Sequence, residues 1–596
     1  MSTKLVNKSE VKNALKVKGV AGNMLAGIVM HVLGLHKIND IYDHVKDYEG
    51  VELADKVIEH LNVNVDYIQE ELENIPKDQP FIVVSNHPFG GIDGIVMISL
   101  LGKIRPDLKI LTNFILSMIP NLQNHFFPVN PFTDRPGMRS SLKGLKMAKE
   151  HLASGGALGL FPSGEVSSNQ NKEKVVKDID WQPSIIKLIK GAGVPVVPIY
   201  FHGENSRLFH FMGHVNPYLR TARLPHELIN KRDKTIQVRI GKAILPSEFA
   251  EFENLNDMGK YLWNRTYALE SGIVQENEAV NEPVASDVEP VAESLPHEKL
   301  CADMESISQA KLFTVGNYEC YMAAPQQIPS MLQEIGRSRE ITFRAVGEGT
   351  NKSLDLDNYD TYYRHLILWD KEKKALVGAY RLGLGDEIME QYGIKGFYSD
   401  TLFAYKNEFG EYLKDSIELG RSFVAPEYQK DPLALMLLIK GLMYVLMERP
   451  KVRYFIGPVS ISAWYPMFYR SLMVYYLREK QSVPGLDKYV DPKNPFVPEY
   501  HKVDVEALLG SKIDTLERFD RFLMRMSNGN FRLPTLLKKY IKINARILAF
   551  NVDPDFNNCV DGLIMLDVLQ IPKSEIDALS KEFEDKEAVY SRFGLN

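Results

Sequence analysis

Short apolar runs alternate with helical periodicity through the first half of the chain. Four runs rich in Val, Ile, Leu and Phe predict β-strands at residues 81–85, 108–113, 157–163 and 194–201. Between them, residues 137–156 place apolar side chains at helical spacing and end at a glycine pair, a common helix stop. This alternation predicts an α/β fold in which a mixed sheet has helices on both faces.

The second half of the chain also combines strands and helices. Residues 363–370 and 375–383 predict two neighbouring strands, and residues 423–428 predict the end of another. The apolar segment 431–449 predicts a long helix with Pro432 near its start, where proline is tolerated.

A change in composition divides the chain near its middle. Residues 274–299 are acidic, contain three prolines and lack Phe, Trp and Tyr, so they predict a flexible linker. We therefore predict an N-terminal helical segment (1–50), a first α/β domain (51–273), this linker, and a second α/β domain (300–596).

Composition excludes several classes of protein. The 596 residues carry a net charge of −6, which does not favour binding of nucleic acid. The 3 cysteines form no Cys-x-x-Cys motif, so we expect neither a disulfide scaffold nor a metal site. The apolar segment Gly19–Leu35 is shorter than the ~20 residues that span a bilayer. It predicts a helix that is either buried or in contact with a membrane surface.

A histidine and an aspartate flank a glycine-rich loop at the end of the first predicted strand, in SNHPFGGIDG (Ser85–Gly94). A neutral imidazole is the usual general base near pH 7, and a carboxylate on its other nitrogen fixes the tautomer. His87 and Asp93 are therefore candidate catalytic residues. In the alternative interpretation, Asp93 only caps the helix that follows.

Two more strand ends carry Gly, Ser, Asn and His, in LFPSGEVSS (Leu160–Ser168) and GVPVVPIYFHGENSR (Gly193–Arg207). Such strand ends line one edge of an α/β sheet, where ligands bind. Together the three segments resemble the glycerolphosphate and lysophospholipid acyltransferase superfamily. Five residues separate His87 from Asp93, where the family has four.

The resemblance implies O-acyl transfer. His87 would take the proton from an acceptor hydroxyl that attacks an acyl thioester, Asp93 would orient His87, and main-chain amides around Gly164 would stabilise the oxyanion. The acceptor pocket departs from the family, because Ser163 replaces the usual glutamate and Glu165 follows two residues later. The other candidate substrate-binding residues of this half are Asn86, Arg135 and Arg139.

The segment Ser416–Met443 resembles the central strand and helix of the GNAT superfamily. In that family, main-chain amides of a glycine-rich helix start hold the pyrophosphate of coenzyme A. Here Pro432 replaces the first glycine and removes an amide donor, which favours acyl carrier protein over coenzyme A as the acyl donor.

The second half also resembles acyl-homoserine-lactone synthases, which use acyl carrier protein. The residues that match their pattern, all candidates for substrate binding, are Arg339, Phe343, Asp357, Asp360, Arg381 and Arg421. Glu418 would accept the proton from an ammonium nucleophile. The alternative is a purely structural network of ion pairs.

An N-acyltransferase half joined to an O-acyltransferase half is similar to the bifunctional ornithine lipid synthases of bacteria. The resemblance implies N-acylation of an amino acid with a 3-hydroxyacyl group, then O-acylation of that hydroxyl. It implies amino acid and lyso-lipid substrates, an acyl carrier protein or coenzyme A thioester as donor, and no bound cofactor.

The same resemblance implies a peripheral protein on the cytoplasmic face of the bacterial inner membrane. Two alternative functions stay open: a lysophospholipid or glycerolphosphate acyltransferase with a degenerate second domain, and a non-catalytic protein that binds acyl carrier protein.

Overall fold

The computed structural model describes all residues except 1–3, 15–16, 114–118, 130–137, 170–174, 251, 274–287, 511–512, 582, 584 and 596. The chain divides into two compact units. The first unit comprises Met1–Asn281 and Tyr500–Asn530, and the second comprises Glu282–Glu499 and Phe531–Asn596. Most of the predicted linker lies outside the described residues, and the part at 288–296 contains no helix or strand.

A seven-stranded sheet forms the centre of the first unit. Its strands, in spatial order, are β1 (Asn64–Tyr67), β9 (Thr235–Ile240), β8 (Val196–His202), β2 (Phe81–Ser85), β5 (Ala157–Leu160), β3 (Lys109–Asn113) and β4 (Phe126–Val129). Two further short strands, β6 (Ser168–Asn169) and β7 (Val176–Lys177), pair with each other. Within the seven-stranded sheet, β8 and β9 pair antiparallel and the other pairs are parallel. The predicted mixed sheet is confirmed.

The central strand β2 is apolar throughout because both of its faces are covered. Phe81 and Val83 join one buried cluster, whereas Ile82 and Val84 join the other. The strands β5 and β8 flank β2 and run parallel to it, so the loops that follow these three strands meet at one edge. The α-helices of this unit are Lys8–Ala14, Gly19–Val32, Leu35–Val45, Gly50–His60, Gly91–Leu101, Met138–Ala153, Pro183–Ala192, Arg207–Val215, Pro217–Ile229, Pro246–Phe249, Leu255–Tyr267, Val505–Leu509 and Leu516–Met526.

The N-terminal apolar segment forms the helix Gly19–Val32, and it is not a core helix. Val20 and Met24 are 86% and 71% exposed, and the buried residues of this helix are the small Gly22 and Ala26. No single described helix is long and apolar enough to cross a membrane. Gly19–Val32 and Leu35–Val45 reach that length only together, across a bend of 72°. Contact of this helix with a membrane surface stays a prediction.

The segment Tyr500–Asn530, which we call the inserted segment, belongs to the first unit although it comes from the second half of the sequence. Its helix Val505–Leu509 packs against the helix Leu255–Tyr267. A salt bridge joins Lys502 to Glu270 at 3.0 Å. The predicted boundary at residue 300 assigns this segment to the second domain, whereas its contacts group it with the first.

An eight-stranded sheet forms the centre of the second unit. Its strands, in spatial order, are β10 (Lys311–Val315), β11 (Tyr318–Ala323), β12 (Arg364–Asp370), β13 (Ala375–Leu384), β15 (Ser416–Val424), β16 (Tyr454–Ile461), β19 (Cys559–Asp567) and β18 (Arg546–Asp553). The strands β14 (Phe403–Tyr405) and β17 (Val490–Pro492) pair separately. The α-helices are His297–Ser306, Pro329–Arg344, Gly385–Gln391, Gly410–Lys414, Pro432–Glu448, Met467–Gln481, Thr535–Lys542, Lys573–Leu579 and Lys586–Arg592.

Candidate active sites

The predicted pair of the first unit is formed. Nδ1 of His87 lies 2.8 Å from Oδ2 of Asp93, which is in the first turn of the helix Gly91–Leu101. The Asp93 side chain is fully buried, and that of His87 is 19% exposed. The chain turns back over this short distance at Gly90, whose φ of +90° strains any other residue.

The hydrogen bonds around Asp93 determine which nitrogen of His87 carries the proton. Oδ2 of Asp93 already accepts from the main-chain N–H groups of Phe89 and Gly90, each at 3.0 Å. A carboxylate oxygen only accepts hydrogen bonds, so Nδ1 is the donor, and in the neutral imidazole Nε2 then has the lone pair. No described residue hydrogen-bonds to Nε2. This arrangement suits a general base that takes a proton from a hydroxyl.

The loop after β5 lies against His87. The ring of Phe161 stacks on the imidazole with centroids 4.1 Å apart. The Gly164 N–H donates to the carbonyl oxygen of Phe161 at 3.0 Å, so an oxyanion site formed by main-chain amides around Gly164 stays a prediction that would need neighbouring N–H groups. The positive φ of Gly164, +71°, instead serves the tight turn of this loop.

The structure places the other predicted residues of this half in supporting contacts. The side-chain amide of Asn86 bonds both main-chain groups of Phe201, each at 2.8 Å, and so ties β2 to β8. Ser163 is fully buried and donates to the carbonyl oxygen of Glu165. The Glu165 carboxylate forms a salt bridge with Arg220 at 2.7 Å. Arg135 and the side chain of Arg139 lie outside the described residues.

The predicted residues of the second unit come together around one buried carboxylate, Asp360. Arg339 donates to its Oδ1 at 2.8 Å, and Arg381 donates to its Oδ2 at 3.1 Å. Arg381 also donates to Asp357 at 2.6 Å. Burial alone would raise the pKa of Asp360, but the charges of Arg339 and Arg381 hold that pKa well below its usual range.

Arg421 extends this network towards solvent. Its Nε donates to Asp355 at 3.2 Å, and its Nη2 lies 3.5 Å from Asp357. The side chains of Asp357 and Arg421 are 28% and 11% exposed, whereas Arg339 and Arg381 are almost completely enclosed. The network is therefore buried at Arg339 and Arg381 and partly accessible at Asp357 and Arg421. Phe343 packs against the apolar cluster beneath the helix Pro329–Arg344.

Glu418 is buried and fixed by three donors. The Tyr363 hydroxyl and the Tyr398 N–H donate to its Oε2, and the Ser399 N–H donates to its Oε1 at 2.8 Å. Glu418 is 1% exposed. The carboxylate is therefore enclosed in this conformation, at a position close to where β15 and β16 stop pairing.

The strands β15 and β16 pair only at their beginnings. Their register runs from Ser416↔Tyr454 to Glu418↔Ile456 and then ends, whereas on their other edges β15 stays paired with β13 as far as Val424 and β16 stays paired with β19 as far as Ile461. Successive side chains of a strand point to opposite faces, so Glu418 faces the polar network and Leu419 faces the other side. There Leu419 lines an apolar cavity of about 40 Å³, which the helix Pro432–Glu448 and the C-terminal helices complete.

The start of the helix Pro432–Glu448 is already capped by a carboxylate. Asp431 Oδ1 accepts from the Leu433 N–H at 2.9 Å, and its Oδ2 accepts from the Tyr318 hydroxyl at 2.6 Å. The hydrogen bond from Tyr318 lowers the pKa of Asp431. A negative charge therefore occupies the place where a helix start would otherwise receive a phosphate.

The structure adds polar groups that the sequence motifs did not include. Burial raises the pKa of Asp561 on β19 to about 7, and burial with the charge of Asp561 raises the pKa of Glu348 to about 7. Tyr363 and Tyr398 enclose Arg381 and Glu418. Tyr363 lies three residues after the end of the acidic DNYD segment, which is a usable signal, but nothing in the sequence marks Asp561.

Two family models match the chain. The acyltransferase model matches residues 26–275, and the acetyltransferase (GNAT) domain model matches residues 338–439. The first range contains His87 and Asp93, and the second contains Arg339, Arg381 and Glu418. The protein is an acyltransferase, and the predicted combination of an acyltransferase domain with a GNAT-like domain is confirmed.

Curated relatives of both kinds match. The glycine N(alpha)-acyltransferase of Bacteroides thetaiotaomicron is 29% identical over 298 residues, which cover 48% of this chain and 87% of that protein. The corresponding protein of Phocaeicola vulgatus is 30% identical over 275 residues, with 44% and 83% covered. The lyso-glycine lipid O-acyltransferase of B. thetaiotaomicron is 30% identical over 241 residues, with 39% and 85% covered. The chain belongs to the acyltransferase family that these relatives represent.

A solved structure also matches, that of the 1-acyl-sn-glycerophosphate acyltransferase from Thermotoga maritima. It covers 43% of this chain and 89% of its own, at 19% identity and a TM-score of 0.26.

Proposed function

We propose that the protein makes a di-acylated amino-acid lipid in two steps. The second unit transfers a 3-hydroxyacyl group to the amino group of an amino acid, and the first unit then transfers a second acyl group to that hydroxyl. We propose glycine as the amino acid in place of ornithine, because relatives matching each kind of step are named for glycine.

The parting of β15 and β16 carries the proposal for the first step. An apolar cavity lies on one side of the gap, next to Leu419, and the polar network with Glu418 lies on the other. An acyl thioester needs an apolar space for its chain, and an amino acid needs charged partners. The cavity is small, and flexible side chains such as Met443 would have to move for a long chain to enter.

Expression of the gene in a bacterium that lacks amino-acid lipids tests this function. We expect a new ninhydrin-positive lipid with two acyl chains, and mass spectrometry identifies its amino acid. Glu418→Gln should remove the mono-acylated and the di-acylated lipid together, because the ester forms only on a hydroxyl that the first acyl chain carries. Altered phospholipid without any amino-acid lipid would overturn the proposal.

The matched control for that variant is Glu411→Gln, since Glu411 is exposed and close in sequence. The Glu418→Gln protein should still acylate synthetic lyso-lipid, which separates loss of the first step from a general folding defect. Failure there, in a folded protein, would contradict the division of labour between the two units.

We also propose that acyl carrier protein, and not coenzyme A, donates the acyl group in the first step. The supporting observation is the Asp431 carboxylate on the helix start, together with Pro432, which has no N–H. Repulsion between a carboxylate and a diphosphate charge 4 Å away costs about 1 kcal/mol in water. Asp431→Asn should therefore lower the KM for acyl coenzyme A about fivefold and leave the KM for acyl carrier protein unchanged.

The exposed Asp386 provides the control for this experiment, as Asp386→Asn removes a charge elsewhere in the second unit. If the wild-type protein uses acyl coenzyme A more efficiently than acyl carrier protein in N-acylation, the proposal that acyl carrier protein is the donor is contradicted.

A further inference from the structure

A second carboxylate, Asp178, contacts the main chain of His87 and belongs to none of the motifs. Asp178 is 3% exposed. Its Oδ1 accepts hydrogen bonds from the His87 N–H, at 3.2 Å, and from the Ser167 hydroxyl, while its Oδ2 accepts from the Trp181 indole N–H at 3.3 Å. Three donors compensate this buried carboxylate for the water that it has lost.

Asp178 completes a set of main-chain contacts between two loops of the site. The Ser167 N–H donates to the carbonyl oxygen of His87 at 2.8 Å, so both main-chain polar groups of His87 are held. The N–H of Asp178 donates to the Tyr267 hydroxyl at 2.7 Å. The carboxylate of Asp178 thus joins the loop after β2 to the loop after β5, and its main-chain N–H ties the same residue to the helix Leu255–Tyr267.

These contacts restrain a different degree of freedom from those of Asp93. Asp93 bonds Nδ1 and Phe161 stacks on the ring, so these two residues set the rotation of the imidazole. Neither of them holds the main-chain N–H of His87. A displacement of a reacting group by about 1 Å can cost roughly 10²-fold in rate, so this position matters for catalysis.

We propose that Asp178 is a positioning residue for O-acyl transfer, which fixes the main chain of His87 against the loop after β5 while Asp93 orients the ring. The proposal rests on the function proposed for the first unit. Asp178 acts through His87 and touches no substrate.

The negative charge of Asp178 contributes to its effect on His87, in addition to its hydrogen bonds. Burial raises the pKa of Asp178, and the hydrogen bonds from Ser167 and His87 oppose that rise. Since every side-chain contact of Asp178 is with a donor, the ionised carboxylate fits the site. A negative charge here stabilises the imidazolium that forms when His87 takes a proton. Among the described residues, the other charged or titratable groups around this site include Asp93, Lys231, Tyr200, Tyr267, Glu270 and the pair Glu165–Arg220.

Kinetics of Asp178→Asn in the full chain test the proposal, with synthetic lyso-lipid and acyl donor as substrates. The amide oxygen still accepts from His87 and Ser167, but the charge is lost and the NH₂ group meets the Trp181 N–H. We expect kcat for O-acylation to fall about 10- to 100-fold with KM within about twofold. The acidic limb of the pH–rate profile should move to lower pH, because the imidazolium loses a neighbouring negative charge.

Asp180→Asn is the matched control, because Asp180 is exposed and only two residues away. It should change neither kcat nor the pH profile. Ser167→Ala removes one hydrogen-bond donor to the Asp178 carboxylate and leaves the carboxylate charged. We therefore expect a smaller loss of kcat than in Asp178→Asn, and no shift of the acidic limb of the pH–rate profile.

An unchanged kcat and an unmoved acidic limb in Asp178→Asn would overturn the proposal. Should that variant fail to fold, Ser167→Ala decides: a fall in kcat at constant KM supports the positioning role, and an unchanged kcat overturns it. A wild-type chain that cannot acylate lyso-lipid would instead overturn the proposed function, so the two failures are distinguishable.

Discussion

His87→Ala should stop ester formation and leave N-acylation intact, so that the mono-acylated amino-acid lipid accumulates in cells. The reason is that Nδ1 of His87 donates to Asp93, which leaves Nε2 of the neutral ring available to accept a proton from the substrate hydroxyl. Loss of a general base typically costs about 10²- to 10⁴-fold in rate. Lipid extraction and mass spectrometry measure the ratio of the mono-acylated to the di-acylated product.

His214→Ala is the control for this variant, since His214 is an exposed histidine of the same unit. The ratio of the two lipids should not change there. Undiminished di-acylated lipid from a His87→Ala protein would show that His87 has only a structural role.

The second large effect concerns the inserted segment. A fragment of residues 1–273 alone should neither fold stably nor make ester, although it ends at the predicted boundary between the first domain and the linker. Without the inserted segment, Glu270 loses Lys502, and Glu248 loses Arg525, which lies 2.9 Å from it. In the folded unit the pKa of Glu270 is lowered to about 2. Burial alone would raise this pKa, but the interactions with His202 and Lys502 lower it by more.

The apolar side chains of the inserted segment contribute more to the stability of the first unit than its charged side chains do. Its buried side chains include Leu508, Phe519 and Leu523, each fully enclosed. Burial of such a side chain contributes about 1.5–3 kcal/mol, and a whole domain is stable by only about 5–15 kcal/mol. Thermal unfolding and solubility of the fragment measure the effect.

Fragment 1–273 with residues 500–530 attached through a flexible linker should recover both solubility and O-acylation of lyso-lipid. The matched control carries a scrambled 500–530 sequence of identical composition. A fragment 1–273 that is soluble, cooperative in unfolding and active on its own would contradict this role of the inserted segment.

Local patterns predicted the elements around the sites because they depend on few neighbours. The run at 81–85 became β2 with the same bounds, and Pro432 begins its helix as expected. The His87–Asp93 contact followed from a short loop that glycine allows to turn. Each of these features is determined within about ten residues of sequence.

Features that depend on distant residues were not predictable in the same way. Asp178 lies 91 residues from His87 in the sequence, and its neighbours form no motif. The inserted segment carries ordinary amphipathic helices, and periodicity shows which side is apolar but not which surface covers it. The Gly164 N–H is used by a local turn, and a sequence motif does not reveal that such a donor is already occupied.

The inserted segment also has a consequence for synthesis of the protein on the ribosome. The N-terminal part of the first unit ends at Asn281, but its last helices follow only up to Asn530, about 250 residues later. At about 5–20 residues per second, translation of that interval takes roughly 12–50 s. During this time the nascent first unit exposes the apolar surface that the inserted segment will cover, so the unit is most prone to aggregation before the second half has emerged.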